Sequence, residues 1–136
     1  MNNVSQKQEK IYFGLDISQK TIEIFALKGE KGVSFGKIPN NQESLTEFFA
    51  QIPAKPETIT VVLETGTHSA WINRLLESCG YDVIVAHARD LAFIYKGDKK
   101  SDRIDAEKLA RMALSDKNLL HPIKVIDKKS QDDLLA

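Results

Sequence analysis

The sequence predicts an α/β fold: a mixed five-stranded sheet with helices on its faces. Three observations lead there. Three strand-like runs joined by short turns precede the first helical pattern, which is the signature of an antiparallel meander. Strand-like and helical segments then alternate, as parallel crossovers require. Two of the apolar runs end on an acid, Asp16 and Glu64, and strand ends are where α/β folds gather ligands from distant parts of the chain.

Ile11 to Ile17 is rich in β-branched and aromatic residues and reads as a first, central strand. Thr21 to Leu27 alternates, with Ile22, Ile24 and Ala26 on one face. Gly29-Glu30-Lys31-Gly32 reads as a turn and Val33 to Ile38 as the returning third strand. Asn41 or Ser44 is placed to cap a short helix carrying Leu45, Phe48 and Phe49, which Pro53 and Pro56 stop. Thr58 to Leu63 is apolar enough to be a strand buried on both faces. Thr67 or Ser69 begins the next helix, with Trp71, Ile72, Leu75 and Leu76 as its buried stripe. Cys79, read as a small core residue, and Gly80 close it.

Tyr81 to Ala86 supplies the fifth strand, and Leu91 to Tyr95 a short apolar segment of helical character. A polar loop, 96–100, leads to Ser101, expected to cap a helix running to about Leu114 with Ile104, Leu109 and Met112 inward. His121 to Ile126 reads as a short extension, and the residues from Asp127 to Ala136 are polar without a clear stop. A meander followed by crossovers, β-β-β-α-β-α-β-α, is the order of a ribonuclease H-like fold. The expected organisation is a flexible tail (1–10), one domain (11–124) and a polar extension (125–136) leading toward a further element.

With 136 residues, 42% of them hydrophobic, the chain suits one soluble domain with a modest core. Nineteen basic and nineteen acidic residues leave no formal net charge, whereas a stand-alone DNA binder is usually basic. Any grip on nucleic acid must therefore be local or metal-assisted. One cysteine excludes an internal disulfide and fits a reducing cytoplasm. The sequence has neither a membrane-length apolar run nor the apolar core of a signal peptide at its start.

Four acids carry the chemistry: Asp16, Glu64, Asp102 and Asp105. Asp102 and Asp105 open a helical pattern three residues apart, and so on one face. Each has an ordinary role available. Asp16 could form an Asx turn on the backbone of Ser18. Glu64 could favour a helix N-terminus, and acids are common in a first helical turn. Taken together in one cleft, four hard oxygen ligands suit a pair of Mg²⁺ or Mn²⁺ ions, which perform phosphodiester chemistry by activating water and stabilising the leaving oxygen. Without a cation, so many like charges would repel.

Arg89, Lys96, Lys99, Lys100 and Arg103 surround this region and could hold backbone phosphates; a solvated loop balanced by Asp98 and Glu107 is the competing reading. His68, four residues after Glu64, is a candidate proton carrier. Trp71 reads as a core anchor, with base stacking as its alternative. Neither a P-loop string nor a zinc-spaced Cys/His cluster exists.

Three strings, Tyr12-Phe13-Gly14-Leu15-Asp16-Ile17-Ser18, Leu63-Glu64-Thr65-Gly66 and Lys99-Lys100-Ser101-Asp102-Arg103-Ile104-Asp105-Ala106, resemble the Asp-Glu-Asp-Asp (DEDD) insertion-sequence transposases and related site-specific DNA invertases. The resemblance runs from about Tyr12 to Lys124. It implies an N-terminal domain like the Holliday-junction resolvase RuvC, with Asp16, Glu64, Asp102 and Asp105 as catalytic metal ligands. It further implies DNA as partner, a structured guide RNA in some members, a homo-oligomer in the full-length assembly and a location at the nucleoid. Relatives continue into a second domain with a nucleophilic serine, which Ser18, Ser101 and Ser115 do not match. The chain is accordingly expected to be an incomplete transposase catalytic domain. The alternatives are a metal-dependent branched-DNA endonuclease, a non-catalytic nucleic-acid assembly module, and an actin-like phosphotransferase, which would require a second lobe and a glycine-rich nucleotide loop.

Overall fold

The computed structural model describes residues 9–87 and 104–116. Its five-stranded sheet has the order β3-β2-β1-β4-β5. The strands are β1 (Ile11–Ile17), β2 (Thr21–Lys28), β3 (Lys31–Pro39), β4 (Ile59–Glu64) and β5 (Asp82–Ala86). β1 pairs antiparallel with β2 and β2 with β3, while β1–β4 and β4–β5 are parallel. With helices on both faces, this is the α/β architecture expected, consistent with a ribonuclease H-like fold.

The meander is tighter than its composition suggests. Lys28 pairs with Lys31, so only Gly29 and Glu30 form the turn. Gly29 takes φ 62°, the left-handed conformation that a two-residue hairpin demands. Lys31 and Gly32, expected in the turn, therefore belong to β3. The register shifts between Ile24 and Phe25, marking a bulge. At the other hairpin, Ser18 N–H donates to the Thr21 carbonyl (2.8 Å), Thr21 N–H to Ser18 Oγ (3.1 Å) and Asn40 Nδ2 to the Ser18 carbonyl (2.7 Å). Ser18 thus joins both ends of this corner.

Helix α1 (Gln42–Ala50) is capped by Asn41, whose Oδ1 accepts from Ser44 N–H at 2.7 Å. Ser44 thus lies inside the helix. Pro56 opens a 3-10 turn, Pro56–Thr58, so Thr58 precedes β4 instead of starting it. Its hydroxyl donates to the Lys55 carbonyl (2.7 Å), satisfying a buried polar group.

Helix α2 (Ser69–Ser78) ends in a Schellman motif: Tyr81 N–H bonds the Leu76 carbonyl (3.2 Å), Gly80 N–H the Glu77 carbonyl (2.9 Å), and Gly80 takes φ 94°. This motif uses Tyr81 to leave the helix, and β5 begins at Asp82. Cys79 is exposed, contrary to the core role expected of it. It occupies the C-cap, while Ile72 and Leu76 take the buried stripe. Burial, and secondarily the nearby Cys79 thiol, raise the Tyr81 phenol above its ordinary pKa.

The sheet separates two cores. One face joins Phe13, Leu15, Ile22, Ile24, Val61 and Leu63 to Leu45 and Phe49 of α1 and Ile72 and Leu76 of α2. Trp71 packs at its margin, as the sequence suggested. The other face joins Val62, Ile84 and Ala86 to Leu109, Met112 and Ala113 of α3 (Ala106–Asp116), with Tyr12 and Ile104 beside them. β4 is therefore buried on both sides, as its continuous apolar sequence requires.

One contact fixes where α3 lies. A Cβ built on Gly14 would overlap the Ala106 carbonyl oxygen and come within 2.9 Å of Ala110 N. Only glycine lets the helix backbone sit this closely on β1.

Residues 1–8, the Leu91–Tyr95 segment, the 96–100 loop, Ser101 and the extension after residue 116 lie outside the described residues. Among the described residues no helix is long and apolar enough to cross a membrane.

Candidate active site

The parallel β1–β4 ladder positions the first two acids. Its last register pair is Leu15 with Leu63, and the chain advances on each strand to Asp16 and Glu64. Register neighbours in parallel strands share a face, and the strands lie about 4.8 Å apart. The face is set by alternation: Tyr12 and Val62, of the same parity as Asp16 and Glu64, pack in the α3 core. Both acids thus stand at the carboxyl ends of adjacent parallel strands, on the side covered by α3. Asp16 is partly buried, as is Glu64.

A cleft of about 370 Å³ opens there. Asp16, Glu64, Ser18, Thr65, His68 and Leu109 are among its lining residues. The walls come from the β1–β2 turn, the β4–α2 loop and one side chain of α3. Thr65 N–H donates to the Ala86 carbonyl (2.9 Å), tying the loop to β5. Ser69 Oγ donates to the Gly66 carbonyl (2.9 Å) and accepts from Gly66 N–H (3.2 Å), forming a closed local turn before α2. His68 holds the N-cap position of that helix, and Ser69, one of the two starts expected, is its first residue. The His68 ring accepts at Nδ1 from Trp71 Nε1 (3.0 Å), the two rings lying nearly perpendicular.

Asp105 has a different position from the one anticipated. Ile104 and Asp105 precede the helix, which begins at Ala106. Asp105 is its N-cap: Oδ1 accepts from Lys108 N–H at 2.9 Å, and its carbonyl accepts from Leu109 N–H at 3.0 Å. A carboxylate is well suited to the exposed N–H groups and positive dipole end of a helix start. The shared helical face expected for Asp102 and Asp105 therefore does not apply, because Asp105 lies before the first turn. Its neighbour Ala106 rests on Gly14, two residues before Asp16, so the helix start is anchored near the acid-bearing strand.

Asp102 lies outside the described residues, as do Arg89, Lys96, Lys99, Lys100 and Arg103. Among the described residues, no three His, Cys, Asp or Glu side chains form a group able to hold a metal ion. Asp16 and Glu64 converge on one cleft, and Asp105 is not among its lining residues. Their hard oxygen donors fit Mg²⁺ or Mn²⁺ in chemistry, and among the described residues two carboxylates line this cleft.

Two features escaped sequence reasoning. The close seat of α3 on Gly14 is one, although a glycine inside an apolar strand is itself a sign of close backbone approach. The His68–Trp71 bond could have been found from their three-residue spacing at a helix start.

No match was found among curated proteins. The family model for DEDD transposases of the IS110 type, described as Transposase, matches residues 13–133. That span includes β1 from Phe13 on, with Asp16, all of β4, the cleft loop and α3, and the chain belongs to this transposase family.

Proposed function

We propose that this domain cleaves and transfers DNA strands with the help of divalent metal, Asp16, Glu64, Asp102 and Asp105 serving as the ligands. The observation that carries this reading is the arrival of Asp16 and Glu64 at the same end of adjacent parallel strands, on one face and in one cleft. Family membership supports DNA as the substrate.

A pair of Mg²⁺ or Mn²⁺ ions would supply an activated oxygen nucleophile and stabilise the leaving oxygen. The chain's own contribution is to hold the carboxylates. β1 and β4 fix Asp16 and Glu64, and the contact between Gly14 and Ala106 anchors the segment carrying Asp105. Asp105 can cap α3 through Oδ1 while its other oxygen remains available as a donor. Arg89, Lys96, Lys99, Lys100 and Arg103 are proposed to grip backbone phosphates. The resemblance adds that strand transfer is shared with a serine-bearing domain, that a homo-oligomer forms, and that some members use a guide RNA.

The test is incubation of the purified chain with element-end duplexes and branched junctions, with Mg²⁺, Mn²⁺ or EDTA. Metal-dependent nicking lost in Asp16→Asn and Glu64→Gln is expected. Binding without nicking in any metal would favour an assembly module. Cleavage restricted to junctions would favour the branched-DNA endonuclease.

A further inference from the structure

His68 shares the cleft with both acids. Its Nδ1 accepts from Trp71 Nε1 at 3.0 Å. An indole nitrogen can only donate, so this bond requires Nδ1 to be the bare nitrogen and places the proton of the neutral ring on Nε2. Nε2–H has no hydrogen-bond partner among the described residues, and His68 is only partly buried. Trp71 is itself packed against the main core and stands perpendicular to the imidazole at a centroid distance of 6.2 Å. The ring is therefore held at Nδ1 by a donor packed on the core, and its other nitrogen carries a fixed N–H on a residue that lines the cleft. Such pre-orientation reduces the entropy lost when a ligand binds.

We propose that His68 is a substrate-binding residue whose Nε2–H donates to a phosphate oxygen of DNA in the cleft, and that Trp71 is a positioning residue selecting the tautomer. The proposal rests on the reading of the cleft as a DNA-cleavage site. Its chemistry is one hydrogen bond from a neutral donor to an anion, with no proton transferred. That differs from the proton carrier suggested by sequence, because the bond from Trp71 assigns the ring a defined donor function.

Amide substitutions separate this role from a merely structural one. Asparagine can place an oxygen near the Nδ1 position and keep the bond from Trp71, but supplies no donor at Nε2. Glutamine can extend its amide N–H₂ toward the Nε2 position. Metal-dependent cleavage should lose roughly 10- to 100-fold in kcat/KM in His68→Asn, the size of one hydrogen bond to a charged group. His68→Gln should restore most of that loss, and both variants should melt close to the parent. Equal kcat/KM in His68→Asn and the parent would overturn the proposal, as would equal losses in the Asn and Gln variants.

Long-range ¹H–¹⁵N spectra of the imidazole give an independent readout. The parent should show the Nε2–H tautomer, with a displaced Nε2 resonance when a short duplex and Mg²⁺ are added. Trp71→Phe should show mixed tautomers. If the parent fails to cleave in any metal, the cleavage reading fails separately and the spectra decide the donor role. An Nε2 resonance unmoved by DNA would then refute it.

Discussion

Gly14 lies directly under the carbonyl of Ala106, where the first turn of α3 crosses the central strand. The strand carries Asp16 two residues later, and the helix is preceded immediately by Asp105. A single methyl group at position 14 would collide with helix backbone, which has no rotamer by which to yield. Gly14→Ala should cost about 1–3 kcal/mol through overpacking. That exceeds the 0.5–1 kcal/mol or so by which alanine ordinarily outperforms glycine in a strand. Gly66→Ala is the control, since a Cβ there meets nothing within 4 Å. Calorimetric melting should show a clear loss for the first and a change within about 0.5 kcal/mol for the second. Equal melting temperatures would mean that α3 does not rest on β1 as described.

Metal binding, if it uses Asp16 and Glu64, must appear in stability. A ligand that binds only the native state stabilises it by about 2.7 kcal/mol at one hundred times its Kd. Mn²⁺ should raise the melting temperature of the parent, and the rise should disappear in Asp16→Asn/Glu64→Gln. Each single substitution should reduce metal-dependent cleavage by roughly 100-fold or more, as removal of a principal electrostatic stabiliser does. An identical Mn²⁺ shift in the double variant would assign the metal elsewhere.

Asp105 permits its two roles to be separated. The bond from Lys108 N–H to Oδ1 can be reproduced by asparagine but not by alanine. Asp105→Ala should lose about 0.5–2 kcal/mol of stability, and Asp105→Asn only a few tenths. As a metal ligand, Asp105 should nevertheless be intolerant of both, so Asp105→Asn should be folded and inactive. Retained cleavage in Asp105→Asn would reduce this residue to a helix cap.

The sheet was legible because its signals are local and repeated. Ile22 and Ile24 alternate with more exposed neighbours, β4 is apolar throughout, and Gly80 marks the end of α2. Element ends were harder, because side-chain bonds decide among competing starts. Asn41 outcompetes Ser44 by reaching its N–H, and Asp105 caps α3 from just before its first residue, which periodicity alone cannot fix. Of the site, the strand-end acids could be read because Asp16 and Glu64 interrupt apolar runs. The contacts of Gly14 with Ala106 and of Ser18 with Asn40 span long sequence separations, with no local pattern to announce them.

DNA affinity should be modest and carried by few phosphates. The chain has no formal net charge, so the long-range attraction that drives nonspecific binding is weak. If Lys96, Lys99, Lys100 and Arg103 provide the phosphate contacts, their replacement by alanine should weaken binding to unrelated duplexes about equally. It should also flatten the dependence of log affinity on log salt by roughly 0.9 for each phosphate contact removed. Fluorescence anisotropy over a salt series, with catalytic metal replaced by Ca²⁺, measures both effects. The Asp16→Asn/Glu64→Gln variant should keep the parent's slope, because it alters the cleft rather than the basic segment. An unchanged slope after removal of all four basic residues would exclude this segment as the phosphate grip and direct attention to the cleft loops instead.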